Sequence, residues 1–458
     1  KMLDLSITNY LNIVNYVFLG IFTFLSLLVL HFIIVSIVGL FCNKKYPTSA
    51  KKGRYGCIIP ARNEENTVAD LIKSIRKSDY PQDKLDIFVV AHNCTDKTAE
   101  VARAAGAIVY EYNNPNECTM GFAFKALFKF IEKNYNTQSY DGFFLFNADN
   151  IVAENYFTKM NDAFNFYDGK YIITSFRNSR NFNSNVMAGL YGVYFAIGSR
   201  FESLGRTVLG ISTRVQGTGY VVNSKLVADG WKYTTLTEDW ELSADQVLAG
   251  NKIKFCNEAV FYDEQPTKFK IMWRQRVRWS RVHLLVFFTR VKDLFKSLFK
   301  HNKKNGFSLY DTMINCSPYT IAVMFAWFAK IICLLCAPLA DLSMPIWEVY
   351  KQVFIGNNVT GNIFAFDLNS FSFINNGYLF HAIRTLIFSY TSTVIMAIIL
   401  FIAEHKRIGK MNFFLKVAIC LLWPLFVFIQ FPIDLQALFA KNLGWKPIPH
   451  GDKKSMQA

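Results

Sequence analysis

Gly56-Cys57-Ile58-Ile59-Pro60-Ala61-Arg62-Asn63-Glu64-Glu65-Asn66-Thr67 begins as an apolar run of strand length, then turns polar at Arg62. A short unbroken run of this kind predicts a strand buried on both faces, and the Asn-Glu-Glu-Asn-Thr segment predicts the turn into a helix ending near residue 78. The pattern repeats. Residues 85–91 form a second apolar strand that leads into His92-Asn93-Cys94-Thr95-Asp96 and a helix to residue 105. A third strand is expected at 107–111, a helix at 117–135, and a fourth strand at 142–146 that ends in Asn147-Ala148-Asp149-Asn150. Strands alternating with helices imply an α/β domain whose mostly parallel sheet is covered on both faces, with ligands at the carboxyl ends of the strands. The polar turns sit at those ends.

Outside this region the chain is apolar. Of its 458 residues 52% are hydrophobic and 44 are Phe, a composition that points to membrane segments. Residues 17–41 are long enough to span a bilayer, and further apolar spans are expected at 317–339, 379–401 and 413–440. Residues 1–16 are mixed and suit a short interfacial helix. The last span contains Pro424 and Pro432 and reads as spanning, re-entrant or interfacial. His381 and Arg384, near the start of the 379–401 span, either face a polar path through the helices or snorkel to the interface.

The net charge is +16, but the cations lie beside apolar runs, at Lys44-Lys45, Lys51-Lys52-Gly53-Arg54, 292–304 and 406–410. That placement fits the positive-inside rule and anionic headgroups, and argues against nucleic acid as a partner. It also puts Lys44 onward in the cytoplasm and the N-terminus outside. The apolar stretch is too long for a secretory signal and lacks a small-residue cleavage site. Nine cysteines are scattered, and Cys333 and Cys336 lie inside an apolar run, so they read as packing residues.

Further along, Val215-Gln216-Gly217-Thr218-Gly219-Tyr220 precedes Thr237-Glu238-Asp239-Trp240-Glu241, which in turn precedes Gln275-Arg276-Val277-Arg278-Trp279. A carboxylate such as Asp239 can accept the proton of an attacking hydroxyl. Cationic and amide side chains such as Arg278 and Gln275 can meet the charge of a departing diphosphate. On a helix Gln275, Arg278 and Trp279 share a face, which offers an aromatic ring beside those donors. A plain helix N-terminus capped by Thr237, followed by a basic amphipathic helix running to about residue 300, accounts for the same residues. Small residues at 217–219 let backbone approach a ligand closely, or simply make a turn.

The order of these motifs resembles the signature of processive family 2 glycosyltransferases, such as cellulose, chitin and hyaluronan synthases. The resemblance covers roughly residues 55–281 by motif and the later helices by arrangement. It implies a glycosyltransferase A (GT-A) domain inserted between membrane helices: a transmembrane helix in 1–45, a cytoplasmic catalytic domain in 46–270, interface helices in 271–305, transmembrane helices in 306–440, and a cytoplasmic tail in 441–458.

In that family the turns corresponding to Ala61, Asn63, Glu64, His92, Asn93, Asp96 and Asn147 hold the nucleotide. The position of Asp149 holds Mg²⁺ or Mn²⁺, Asp239 with Glu238 is catalytic, and Gln275, Arg278, Trp279 and the Gly217-Thr218-Gly219 loop serve leaving group and acceptor. Trp445 and Lys446 match a short C-terminal gating motif. Three positions depart from the pattern: Ala91-His92 stands for an Asp pair, Met120 for a Lys, and Asn147 for the first Asp of Asp-x-Asp.

The implied activity is an inverting transfer from a UDP-sugar, with UDP-glucose and a β-glucan product first and an N-acetylglucosamine polymer second. The growing polysaccharide, the lipid bilayer and accessory subunits are the implied partners. A non-processive transferase acting on a lipid or cell-wall acceptor, and an inactive nucleotide-binding scaffold, are the rival readings.

Overall fold

A computed structural model describes residues 4–236, 238–300, 305–340, 344–356 and 373–440. Contacts divide the chain into two units, one of residues 1–31, 318–399 and 420–435, the other of residues 32–317, 400–419 and 436–458.

The chain begins with α1 (Asp4–Phe41), one continuous helix of 38 residues. The separate interfacial helix expected at the N-terminus does not form, because no proline or glycine interrupts the run before Gly20. Strands and helices then alternate as β1 (Tyr55–Ala61), α2 (Val68–Arg76), β2 (Leu85–His92), α3 (Thr98–Ala104), β3 (Ile108–Tyr112), α4 (Met120–Tyr135) and β4 (Gly142–Leu145). Next come β5 (Ile151–Val152), α5 (Tyr156–Phe166), β6 (Ile172–Ser179), α6 (Val186–Ile197), α7 (Leu204–Val208), β7 (Tyr220–Asn223), α8 (Glu238–Leu248) and β8 (Ile253–Asp263).

The eight strands make one sheet in the order β3-β2-β1-β4-β7-β6-β8-β5. The first four are parallel, β7 runs antiparallel between β4 and β6, and β8 pairs parallel with β6. Successive β1 residues point to opposite faces. Ile59 joins a core with Leu71, Ile75 and Phe157, while Ile58 joins Phe88, Phe124, Phe128 and Phe143 on the other side. Burial on both faces is why β1 reads as a continuous apolar run. Each of those buried rings contributes about 1.5–3 kcal/mol by leaving water.

A π-helical turn, Gly198–Ser203, connects α6 to α7. The segment from 180 to 205 is largely buried. Its glycines permit this: a methyl group at Gly205 would lie 2.0 Å from the Val35 carbonyl oxygen, and one at Gly39 would lie 2.6 Å from that of Arg200.

The expected amphipathic helix is α9 (Phe269–Lys300), which extends upstream through the Gln275–Trp279 motif. It is followed by α10 (Gly306–Cys316), α11 (Tyr319–Leu335), α12 (Ile346–Phe354), α13 (Phe373–Ala403), α14 (His405–Ile408), α15 (Phe413–Phe428) and α16 (Gln430–Phe439).

A buried ion pair and a set of hydrogen bonds tie distant sequence together inside the second unit. Arg206 of α7 holds Asp311 of α10 through two bonds of 2.8 and 3.2 Å. Arg407 of α14 donates to the carbonyl and side-chain oxygens of Asn257, in the irregular part of β8.

Among the described residues three helices are long and apolar enough to cross a membrane, namely Ile7–Phe41, Asn376–Ala403 and Phe413–Phe439, or four spans if α10 and α11 count as one broken span. By itself α11 has 17 residues, shorter than the span expected there. Pro424 lies inside α15. Pro432 falls in the first turn of α16, where its missing N–H costs no intrahelical bond. In the first unit Ile7, Leu11, Val14 and Phe18 of α1 pack with Leu334, Val349, Val353 and Tyr378. His381 and Arg384 are both buried, which disfavours the snorkelling reading.

Candidate active site

The strand order reverses between β1 and β4, and a crevice at the carboxyl ends of strands is the ligand site in open α/β sheets. The β1 and β2 turns border it. Asn63 adopts φ 59°, a left-handed conformation that Asn tolerates, and its Oδ1 accepts the Thr95 N–H at 2.8 Å. Asp96 accepts the Glu65 N–H at 3.3 Å and the Thr98 N–H at 3.0 Å. The Glu64 N–H donates to Thr98 Oγ1 at 2.8 Å, and the Thr67 hydroxyl to Glu64 Oε2 at 2.7 Å. Asn63, Glu64 and Asp96 therefore come together, each helping to fasten one turn to the other. Ala61 contributes differently: its methyl is in the core, and its carbonyl accepts the Cys94 thiol at 3.3 Å.

His92 and Asn93 are tied to the segment after β3 instead. The Asn114 N–H donates to Asn93 Oδ1 at 2.7 Å, which fixes the amide orientation so that Nδ2 donates to the Asn114 carbonyl at 3.0 Å. His92 Nε2 lies 2.6 Å from the Glu117 carbonyl, an acceptor, so Nε2 carries the proton. Burial pushes the imidazole pKa down, which keeps His92 neutral.

At the end of β4 the Asn147–Asn150 turn meets the glycine loop. The Asn147 N–H donates to Thr218 Oγ1 at 2.9 Å, and the Thr218 hydroxyl donates to Asn150 Oδ1 at 2.5 Å. Asn150 Nδ2 then donates to Asp149 Oδ1 at 3.1 Å and to Asp263 Oδ1 at 2.9 Å. Asp263 also accepts from Gln265 Nε2 at 3.0 Å and pairs with Arg177. Arg177 donates to the Gln216 carbonyl at 2.9 Å and stacks 3.6 Å from the Phe195 ring centre. Asn150, Asp263 and Arg177 escaped sequence reasoning. The first sits beside a motif that draws the eye to Asp149, and the other two are polar residues within strands.

Asp239 and Glu238 open α8, and both are buried. Gly217 has φ 83°, which a side chain would resist; a methyl group there would lie 3.7 Å from Asp239 Oδ2. The loop and the aspartate are thus neighbours. Burial pushes the Asp239 carboxyl up to about 6, against the pull of nearby backbone N–H groups, Arg177 and Arg214. Glu238 is pushed well above the usual range by burial and by the charge of Asp239. Two adjacent carboxyls driven apart in this way titrate as a pair, with Glu238 protonated while Asp239 ionises.

From α9, burial lowers the Arg278 pKa while Glu238 and Asp239 raise it, which puts that guanidinium within reach of both acids. Gln275 Oε1 accepts the Tyr191 hydroxyl at 2.8 Å. Trp279 meets Tyr191 and Phe195 edge-on, with ring centres 6.2 and 6.1 Å apart. Thr237, read as a cap, and Trp445 and Lys446, read as a gate, lie outside the described residues.

For a metal, the described residues hold no group of three Asp, Glu, His or Cys side chains. A hard ion carried in on a diphosphate needs only one or two carboxylates, with phosphate and water oxygens completing its shell. The buried Asp149 carboxylate, with the Asn147 amide two residues before it, is a hard oxygen set that fits that mode.

A curled, mostly parallel sheet with covering helices and a polar crevice at its strand ends defines a GT-A fold, and apolar helices precede and follow it. The chain belongs to the glycosyltransferase like family 2, whose model matches residues 53–281. It is 25% identical over 246 residues to a probable glycosyltransferase, YdaM, of Bacillus subtilis, which covers 52% of this chain and 57% of that protein. It is 23% identical over 247 residues to the poly-beta-1,6-N-acetyl-D-glucosamine synthase of Staphylococcus aureus, covering 51% of this chain and 57% of that one. The chain thus spans a little over half the length of these curated relatives. Among solved structures, a mannosyltransferase from Pyrobaculum calidifontis in complex with GDP-Man and Mn²⁺ matches with a TM-score of 0.52 at 14% identity, over 89% of this chain and 100% of that chain. At that identity the likeness concerns the fold alone.

Proposed function

We propose that this protein is a membrane-bound inverting glycosyltransferase that extends a β-linked polysaccharide from a UDP-activated hexose. One observation carries the reading: a buried carboxylate, Asp239, faces the Gly217 loop with its proton affinity tuned near neutrality. A base whose pKa lies just below the working pH is ionised and still basic enough to take a proton in the transition state.

In this reading the acceptor hydroxyl enters beside Gly217, whose φ of 83° suits glycine. Its proton passes to Asp239 as its oxygen bonds to the anomeric carbon. On the opposite face the bond from that carbon to the diphosphate oxygen breaks, the electron pair leaves with UDP, and the configuration inverts. Tyr191 holds the Gln275 carbonyl, which leaves the Gln275 amide N–H groups as donors. These, with Arg278, meet the charge of the leaving group. Mg²⁺ or Mn²⁺, held by Asp149 with Asn147, would neutralise charge on the diphosphate when bound. Trp279 offers a ring to the acceptor sugar. Asn63, Glu64, His92, Asn93 and Asp96 border the nucleotide, with the neutral His92 standing where the family has an acid.

The apolar helices anchor the enzyme and give the product a route across the bilayer, with the catalytic domain of residues 46–270 on the cytoplasmic side. Sequence motifs put a β-glucan from UDP-glucose first. The curated relative named for poly-beta-1,6-N-acetyl-D-glucosamine favours UDP-N-acetylglucosamine as the second reading.

Membranes carrying the protein, incubated with radiolabelled UDP-glucose, UDP-N-acetylglucosamine or GDP-mannose, test the proposal. Label should appear in material too large to dialyse and be released by a linkage-specific β-hydrolase. Label only in lipid or in single-sugar adducts would overturn processivity, and no transfer from any UDP-sugar would overturn the donor class.

A further inference from the structure

Arg177 belongs to no motif, yet it touches Asp263, Gln216 and Phe195 around the candidate site. It lies at the carboxyl-end half of β6, nine-tenths buried. One nitrogen pairs with Asp263, which also takes the Asn150 amide. Another donates to the carbonyl of Gln216, the residue before Gly217, at 2.9 Å. The guanidinium plane lies over Phe195, whose ring meets Trp279. Its Nε–H, also buried, has no partner among the described residues.

A buried donor left unpaired costs stability, and a buried Arg–Asp pair is often replaceable by apolar residues without loss of stability. Packing alone therefore does not explain an arginine here. We infer that Arg177 is the positioning residue of the catalytic centre, clamping the 216–219 loop against Asp239 and supplying the counter-charge that lets this buried acid ionise. The inference rests on Asp239 being the base.

Several groups face Asp239, and Arg177 acts among them. Glu238 adjoins it on α8, Arg278 approaches from α9, Arg214 from the segment before the glycine loop, and Tyr220 from β7. Arg278 serves the leaving group, and Arg214 is paired with Glu202 at 3.0 Å and lies 5.1 Å from the Trp240 ring centre. Arg177 alone joins the loop backbone to the charge.

The test is the pH dependence of transfer by the full chain in membranes, using the UDP-hexose that the wild type accepts, together with UDP binding by calorimetry. Removing the charge in Arg177→Met should move the acid limb of kcat/KM upward by about one pH unit, a tenfold loss below the limb, while UDP affinity stays within about twofold. Arg177→Lys keeps the charge and loses the fork, so its limb should stay within about 0.3 unit while kcat falls. If the Met variant shows no cooperative melt, the Lys variant decides: a limb displaced by a full unit despite the retained charge overturns the inference. A Met variant that loses activity equally at every pH also overturns it. Absence of transfer by the wild type would instead sink the assigned function.

Discussion

Asp239 and Glu238 are consecutive in sequence and opposite in behaviour. Both are buried, but the charge of one raises the proton affinity of the other, so the pair holds a single negative charge at neutral pH. A base must be deprotonated to act, so kcat should fall as pH drops through about 6, the value to which Asp239 is raised. A pH–rate profile of the wild-type protein checks this, and a flat profile down to pH about 4, where an unperturbed carboxylate titrates, would refute it. Asp239→Asn should lower kcat by about a hundredfold or more without preventing UDP binding, as radiolabel transfer and calorimetry would show. The same variant should melt at a higher temperature above pH 6. A carboxyl whose folded-state pKa is raised destabilises the fold once it ionises, and the amide removes that cost. Trp279→Ala should raise the KM for an oligosaccharide acceptor more than it weakens donor binding. Equal loss of both would count against ring stacking.

At the level of elements, glycines set how closely the pieces approach. A methyl group at Gly121, in the first turn of α4, would lie 2.1 Å from the Tyr233 carbonyl oxygen. Gly121→Ala should therefore displace α4 from the 233–234 segment and lower stability by about 1–3 kcal/mol, read as a drop in melting temperature. Strands β1, β2 and β4 were legible in the sequence because burial on both faces makes them largely apolar runs. Strands β6 and β8 were not, since Thr174, Ser175, Arg177, Asn178 and Lys254, Asn257 interrupt the pattern. Those polar residues face partners that only the folded sheet brings near. Arg177 needs Asp263, 86 residues away, to be buried at all. The candidate site shows the same division: motif order singles out Asp239 and Gly217, which the fold makes neighbours, whereas Asn150 joins the β4 turn to the glycine loop through contacts that spacing does not encode.

For the molecule as a whole, the long apolar helices predict that the protein stays in the membrane pellet after alkaline carbonate and needs detergent for release; recovery in the soluble fraction would contradict this. Charge on the departing diphosphate calls for a divalent ion, so EDTA should abolish transfer and Mg²⁺ or Mn²⁺ should restore it, as UDP release would report.

The ties of Arg206 to Asp311 and of Arg407 to Asn257 bear on how this enzyme can be handled. A boundary chosen from the matched stretch of 53–281 would cut away Asp311 and leave the buried Arg206 guanidinium with the more distant Glu202, at 3.4 Å, as its remaining carboxylate partner. Such a trimmed fragment should aggregate on expression, whereas one that keeps residues 305–317 and supplies 400–419 by a grafted connection should stay in solution. The sheet-bearing unit of this protein is a patchwork of separate chain segments, and the scissors must follow its polar ties rather than the motifs.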